Sequence, residues 1–220
     1  YKRNQIYQSN LSIWEDTVKK RPMNAKAQMN YGVELDKNGR YYDAAYCLKE
    51  AIRLKPDYVE AYVNLGNVLT KMGRFDDAVA CYKDALRIKP DFAPAYANMA
   101  IVMTRLGRTD QAILYSHEAV RLMPNYADAY STLGIALGMS GRLTEAITQF
   151  EKATRLKPDY ADAHSNLGLA LGRLGRRDEA IAHLQEALRL KPDYPAARLN
   201  LEMIMRMDSS TGKTLKQKNH

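Results

Sequence analysis

Asparagine recurs along this 220-residue chain at a step of 34: Asn30, Asn64, Asn98, Asn166 and Asn200, with Thr132 in the one gap. An amide side chain carries both donor and acceptor, so a row of them can match a peptide backbone without reading its side chains. Asparagine is a mediocre helix former, and propensity does not explain its repetition. Beside the column runs an apolar lane of Val33, Ile101, Ile135, Leu169 and Met203, broken by Asn67 and flanked by Val63 and Leu199. A continuous exposed apolar row marks a partner-binding surface. Two alternatives stand open. The amides can bond the neighbouring repeat and stabilise the stack, and curvature can partly bury the lane.

Other chemistry is sparse. His117, His164, His183 and His220 occupy unrelated positions and have no metal-ligand spacing. His164 and His183 can meet as a packed pair. Acidic pairs such as Asp76-Asp77 and Asp178-Glu179 fall at helix starts, where they favour the helix dipole. The run Ser210-Thr211-Gly212-Lys213-Thr214 has a superficial likeness to a phosphate loop, but Met207 stands where the upstream glycine belongs and no strand precedes it. Cys47 and Cys81 lie one period apart, which puts them about 8–10 Å from each other on neighbouring helices. A disulfide needs alpha carbons within about 7 Å, so these are expected to be free thiols. No catalytic residue, metal or cofactor is expected.

The elements that position the column follow from punctuation. Pro22, Pro56, Pro90, Pro124, Pro158 and Pro192 keep the same 34-residue step, the period of a helix–turn–helix solenoid repeat. In residues 59–92, Tyr62, Leu65, Gly66 and Leu69 form one apolar helix face. Gly73-Arg74 ends that helix, and Ala78, Tyr82 and Ala85 form the apolar side of a second helix closed by Pro90. Asp57 with Glu60 has capping-box spacing, and Asp91 is expected to cap the next helix. Gly39, Gly73, Gly107, Gly141 and Gly175 recur between helices, each followed by Arg. Small residues recur where the helices approach: Gly32, Gly66, Ala100, Gly134 and Gly168 on the first, with Ala44, Ala78, Ala112, Ala146 and Ala180 on the second. Tyr58, Phe92, Tyr126, Tyr160 and Tyr194 follow the corners, in core-forming positions.

This pattern resembles the tetratricopeptide repeat (TPR), most fully in Tyr130, Leu133, Gly134, Leu137, Ala146, Phe150, Ala153 and Pro158. The resemblance covers residues 25–194 as five units (25–58, 59–92, 93–126, 127–160 and 161–194). It implies an all-α fold, a right-handed α-solenoid of stacked helix-turn-helix units with a concave peptide-binding groove. Gln28 and His164 depart from the first aromatic, Ala100 from the glycine and Ser116 from the second aromatic, and Met99 and Met103 are expected to fill the resulting gaps. The asparagine column resembles the ladder in the TPR superhelix of O-GlcNAc transferases. The positions matching a carboxylate clamp read Met29, Val33, Asn64, Pro94 and Asn98, without the basic residues, so the resemblance does not extend to a chaperone-tail clamp.

Residues 1–24 read as an N-terminal capping helix or half repeat, with a lone second helix over 5–20 and Trp14 at the large-aromatic position. A capping helix is expected over 195–207, with Arg198 and Glu202 as an i,i+4 pair, and a disordered basic tail over 208–220. Formal net charge is +8, but residues 1–21 and 206–220 contribute +3 each, leaving +2 for 22–205. The near-neutral array lacks the basic stripe of a nucleic-acid reader.

The expected function is a non-catalytic scaffold binding an extended or helical protein segment along the groove, with no nucleic-acid partner. No run of about 18 apolar residues exists to span a membrane. An alternative comes from Arg3-Asn4, Trp14-Glu15-Asp16-Thr17-Val18 and Pro22. These look similar to the junction after the last membrane helix in multi-spanning, glycosyltransferase-like proteins with TPR tails, which would make this chain an extramembrane tail. The chain begins at Tyr1 and shows no signal-peptide core, as a processed product or fragment would. Self-association through the end helices is a third expectation, from Leu199, Leu201, Met203, Ile204, Met205 and Met207 at one end and Trp14 at the other. The compartment is left open.

Overall fold

The computed structural model describes the backbone of residues 10–216 and the side chains as far as Arg206. Among the described residues it is all helical, with twelve helices and no strand. They fall into two compact units, Tyr1–Leu106 and Gly107–His220. The first holds α1 (Asn10–Lys20), α2 (Ala25–Lys37), α3 (Tyr41–Leu54), α4 (Val59–Lys71), α5 (Phe75–Ile88) and α6 (Ala93–Arg105). The second holds α7 (Thr109–Leu122), α8 (Ala127–Met139), α9 (Leu143–Leu156), α10 (Ala161–Arg173), α11 (Arg177–Leu190) and α12 (Pro195–Lys216).

Within each unit the helices pack as hairpins, α2 on α3 and α4 on α5, then α8 on α9 and α10 on α11, and each hairpin stacks on the next. Hairpin contact depends on the missing side chain at the first-helix glycine. A Cβ on Gly134 would lie 2.6 Å from Phe150 Cε1, and one on Gly168 would lie 2.7 Å from Leu184 Cγ. The small second-helix residues Ala44, Ala78, Ala146 and Ala180 are fully buried. In the second unit, Leu133, Leu137, Phe150, Leu167, Leu171 and Leu184 form one continuous core.

The first helices also touch each other, α2 with α4 and α4 with α6 in one unit, α8 with α10 and α10 with α12 in the other. Among the described residues, successive second helices of a unit make no such contact. The first helices therefore line the inner side of each unit, which is where the asparagine column lies.

Local chemistry at the turns differs in part from the sequence expectation. Gly73 sits at φ 75°, and Arg74 N–H donates to the Leu69 carbonyl at 2.9 Å while Gly73 N–H donates to Thr70 at 3.2 Å, a Schellman end. The arginine after the glycine is the N-cap residue of the next helix, but its side chain does not cap. It pairs with the acid three residues on: Arg40 with Asp43, Arg74 with Asp77, Arg142 with Glu145 and Arg176 with Glu179. Such exposed pairs contribute about 0–1 kcal/mol each. The capping box of Asp57 and Glu60 does not form. Tyr58 is the N-cap of α4 and Phe92, not Asp91, that of α6, neither with a side-chain cap bond. The corner tightens one residue later than the spacing suggested, because Tyr58 N–H closes a turn onto the Lys55 carbonyl at 3.1 Å. That turn brings Lys55 Nζ to 4.8 Å from the Tyr58 ring, and Lys89, Lys157 and Lys191 stand likewise over Phe92, Tyr160 and Tyr194.

At the chain ends, α1 begins at Asn10, and residues 1–9, including Arg3-Asn4, lie outside the described residues. The last helix continues to Lys216, past the end expected at 207; residues 217–220 lie outside the described residues. Arg198 and Glu202 do not pair. Arg198 Nη2 donates to the Pro192 carbonyl at 3.1 Å, and Glu202 meets Arg206 at 3.9 Å. The arginine serves a prior need, because Gln28 Nε2 donates to Pro22 O and His164 Nε2 to Pro158 O, both at 3.1 Å. Wherever the first-helix aromatic is replaced, the substitute donates to the proline carbonyl six residues back. Among the described residues, no helix is long and apolar enough to cross a membrane.

Gly134→Ala tests the close approach. Helix propensity alone favours alanine by about 1 kcal/mol, yet overpacking against Phe150 is expected to destabilise the protein by about 1–3 kcal/mol. A lower urea midpoint, with the slope unchanged, is the expected outcome.

Candidate functional site

The column divides into bonded and free amides. Asn64 Nδ2 approaches Met29 Sδ at 3.6 Å, and Asn98 Nδ2 donates to Asn67 Oδ1 at 2.8 Å, each reaching back to the preceding first helix. Thr132 Oγ1 turns onto the Asp128 carbonyl of its own helix at 2.9 Å. Asn30, Asn166 and Asn200 are half-buried and have no hydrogen-bond partner among the described residues. A stacking role accounts for Asn64 and Asn98 and leaves the other three unexplained.

The lane is less open than an exposed row would be. Val33, Asn67, Ile101, Ile135 and Leu169 are half-buried, and Val63 is buried. Only Met203, in α12, is exposed, and beside it Leu199 is 68% exposed. Among the described residues, no further helix packs over either of them. Met205 is 53% exposed, at the position where Leu35, Leu69, Met103, Leu137 and Leu171 are all buried. Of the other end residues, Ile204 is buried with its Cδ1 close to Gly172, Leu201 packs against the core, and Met207 lies beyond the described side chains.

In the first unit the inner, first-helix side holds a cavity of about 220 Å³ lined mostly by polar residues, Asp36, Asn67, Thr70, Lys71, Asn98 and Arg105, with Ile101. Its hub is Asn67, the residue that breaks the apolar lane. Tyr82 is buried, and its hydroxyl donates to Asn67 Oδ1 at 2.8 Å; burial pushes the phenol up to about 12. Thr70 Oγ1 donates to the Gly66 carbonyl at 2.8 Å and lies 3.3 Å from the same hydroxyl. The equivalent second-helix positions are Leu48, Ser116, Phe150 and Leu184. Tyr82 alone brings a phenol to be satisfied, so Asn67 replaces an apolar residue. Across the cavity, Lys71 Nζ meets Asp36 Oδ2 at 2.6 Å, while Asp36 Oδ1 is buried without a partner. Spacing singled out Asn67 and Asn98 but missed Asp36, Thr70, Lys71 and Arg105. The available signal was a second column of last-turn cations, Lys37, Lys71, Arg105 and Arg173.

In the second unit the cavity on the first-helix side is lined mostly by apolar residues. About 190 Å³ in volume, it is walled by Ile135, Met139, Leu143, Phe150 and Leu169, with Asn166 and Arg173 supplying polar groups. Gly134 and Gly138 leave the space open.

Between α10 and α11, the His164 and His183 Nδ1 atoms are 3.1 Å apart. The Pro158 carbonyl can only accept, so His164 carries its proton on Nε2 and accepts from His183 on Nδ1. Burial, then the neighbouring His164, holds the His183 pKa below its ordinary 6.5. The two cysteines are free, and burial pushes both thiols up to about 11, away from reactive thiolate character. Among the described residues, no group of three or more His, Cys, Asp or Glu side chains is placed to hold a metal.

Family models for the TPR repeat match residues 34–73 and 139–175, and tetratricopeptide repeat models match 59–92, 161–194 and 81–114. Among solved structures, the chain is similar to YrrB, described as a TPR protein with an unusual peptide-binding site. The identity is 25%, with 84% of this chain and 95% of that one covered, at a TM-score of 0.59. It is 28% identical to MamA over 73% of this chain and 94% of that one, at a TM-score of 0.62. TTC0263, a thermophilic TPR protein of Thermus thermophilus, shares the fold at 23% identity, with 83% and 99% covered and a TM-score of 0.71. No curated protein matches the chain.

Two outcomes test the buried chemistry. Asn67→Leu restores the apolar lane but strands the Tyr82 hydroxyl, and is expected to cost about 1–3 kcal/mol. Adding Tyr82→Phe should return most of that loss in chemical denaturation, since the stranded hydroxyl is then gone and only the half-buried Asn98 amide has lost its acceptor. For the histidine pair, the unfolded chain binds more protons than the folded one between the depressed His183 pKa and 6.5. Stability tied to this group is therefore present above 6.5 and lost as pH falls through that window. The drop in Tm between about pH 7.5 and 5.5 should be smaller in His183→Gln than in the parent.

Proposed function

Because the chain belongs to the tetratricopeptide repeat family, we propose that it is a non-catalytic scaffold that binds an extended or helical segment of another protein along its first helices. One observation carries this proposal. Asn166 stands with a free amide beside an apolar cavity formed by Ile135, Met139, Leu143, Phe150 and Leu169. An apolar pocket with one uncommitted donor–acceptor group can hold a side chain and fix the backbone next to it. The free amides of Asn30 in the first unit and Asn200 in the second offer the same backbone-binding role within their own units, while Asn64 and Asn98 mainly tie first helices together. The likeness to YrrB, whose description includes a peptide-binding site, supports the same class of partner.

The test is a random-peptide display selection on the protein, followed by affinity measurements on the enriched peptides. Asn30→Ala with Asn166→Ala should weaken binding at least about fivefold, the effect of about 1 kcal/mol, while leaving Tm unchanged. Asn98→Ala should lower Tm. Enriched peptides that bind the double variant as well as the parent would return the column to a purely structural role.

A further inference from the structure

We propose that the polar cavity of the first unit is a subsite for an acidic side chain, an Asp or Glu within the bound segment. This rests on the groove-binding reading and adds the partner chemistry.

The repeat itself shows a carboxylate missing at this point. One step earlier, the last-turn cation Lys71 of α4 is neutralised by Asp36 of α2, at 2.6 Å. Moving that pair forward by one 34-residue period gives Arg105 of α6 and Thr70 of α4. The cation has been retained, as arginine, and the carboxylate has become a hydroxyl that is already committed to the Gly66 carbonyl. Arg105 is exposed and has no ion-pair partner among the described residues. Helix-dipole complementarity accounts for a cation in the last turn, but Lys37 and Lys71 satisfy it while paired with Glu34 and Asp36. Arg105 satisfies it unpaired, at the edge of a cavity.

Hydrogen-bond direction adds a second, independent argument. Asn67 Oδ1 accepts from both Tyr82 and Asn98 at 2.8 Å. The reverse amide orientation would leave the phenol proton only the 3.3 Å contact to Thr70. The Asn67 amide nitrogen therefore keeps both hydrogens without an acceptor among the described residues. Asn98, Ile101 and Arg105 share one face of α6 through their i, i+3, i+7 spacing, opposite Asn67 and Lys71 of α4. The formal charge of the lining is +1, with Lys71 and Arg105 against Asp36. A guanidinium and an uncommitted amide face one cavity, which suits a carboxylate, and Ile101 supplies apolar contact for the methylenes of the acidic side chain. The buried, unpartnered Asp36 Oδ1 is an acceptor that a backbone N–H of the same segment would satisfy.

The probe is a fluorescein-labelled hexaglutamate peptide, acetylated and amidated so that only side-chain carboxylates are present, with hexaglutamine as the neutral control. Binding is read by anisotropy. Hexaglutamate is expected to bind at least tenfold more tightly than hexaglutamine. Arg105→Gln should weaken it at least fivefold. Asn67→Asp, which keeps the acceptor for Tyr82 and Asn98 but replaces the free NH2 with a carboxylate oxygen, should weaken it at least tenfold, with Tm unchanged. Arg155→Gln, the same charge change outside the groove cavities, should leave the affinity within twofold. Equal loss in Arg155→Gln and Arg105→Gln would reduce the effect to net charge and overturn the subsite. So would hexaglutamate binding that is indifferent to Asn67→Asp. If display-selected peptides lose affinity in the Asn30/Asn166 double variant yet carry no acid and ignore Arg105→Gln, groove binding stands and the acidic subsite fails.

Discussion

The structure depends on one steric constraint, the close approach of the two helices in the hairpins α2–α3, α4–α5, α8–α9 and α10–α11 at a first-helix glycine that has no room for a side chain. A Cβ on Gly134 would intrude to 2.6 Å on Phe150, and Gly168 stands in the same relation to Leu184. A flat-surfaced first helix lets a large second-helix side chain lie across it, so in these four hairpins Leu48, Tyr82, Phe150 or Leu184 seals the core. The consequence reaches the side of the first helices that carries the asparagines. With the second helix held against one side of the first, the opposite side of α2, α4, α8 and α10 is released from hairpin packing and faces the neighbouring first helix of its unit.

That release is only partial, and the exceptions define the chemistry. Where the sealing residue is Leu48, Phe150 or Leu184, nothing polar enters the interface. Where it is Tyr82, a hydroxyl crosses beneath the first helix and emerges on the groove side at Asn67. Burying that hydroxyl without a partner would cost about 1–3 kcal/mol. The polar hub of the first unit is thus a by-product of core packing, and it places the Asn67 amide at the cavity wall. In the second unit Phe150 makes no such demand, and the cavity above it is apolar.

The departures from the repeat pattern follow one rule as well. Gln28, His164 and Arg198 differ in size and charge but place a nitrogen donor 3.1 Å from the proline carbonyl that closes the previous helix. Arg198 had looked like half of a surface ion pair because Glu202 sits four residues away. The proline carbonyl prevails because it is an acceptor that the interrupted helix leaves unpaired, whereas an exposed ion pair gains little in water.

Periodicity determined a great deal by itself. The 34-residue step of Pro and Gly, and the small residues facing large ones, specify an all-helical chain whose helices pair as hairpins, because those properties depend on local backbone geometry and repeat identically. Spacing also located the asparagine column. It did not separate Asn98, bound to Asn67, from Asn166, which is free, since that depends on what the neighbouring helix presents. Nor did it show that Val63 is buried while Leu199 is exposed at the equivalent position, because burial there requires a following helix to pack against. The missing partner of Arg105 emerged only from the pairing of Lys71 with Asp36. That contact joins residues 35 apart in sequence, across two stacked helices, and stacking is decided by tertiary packing alone.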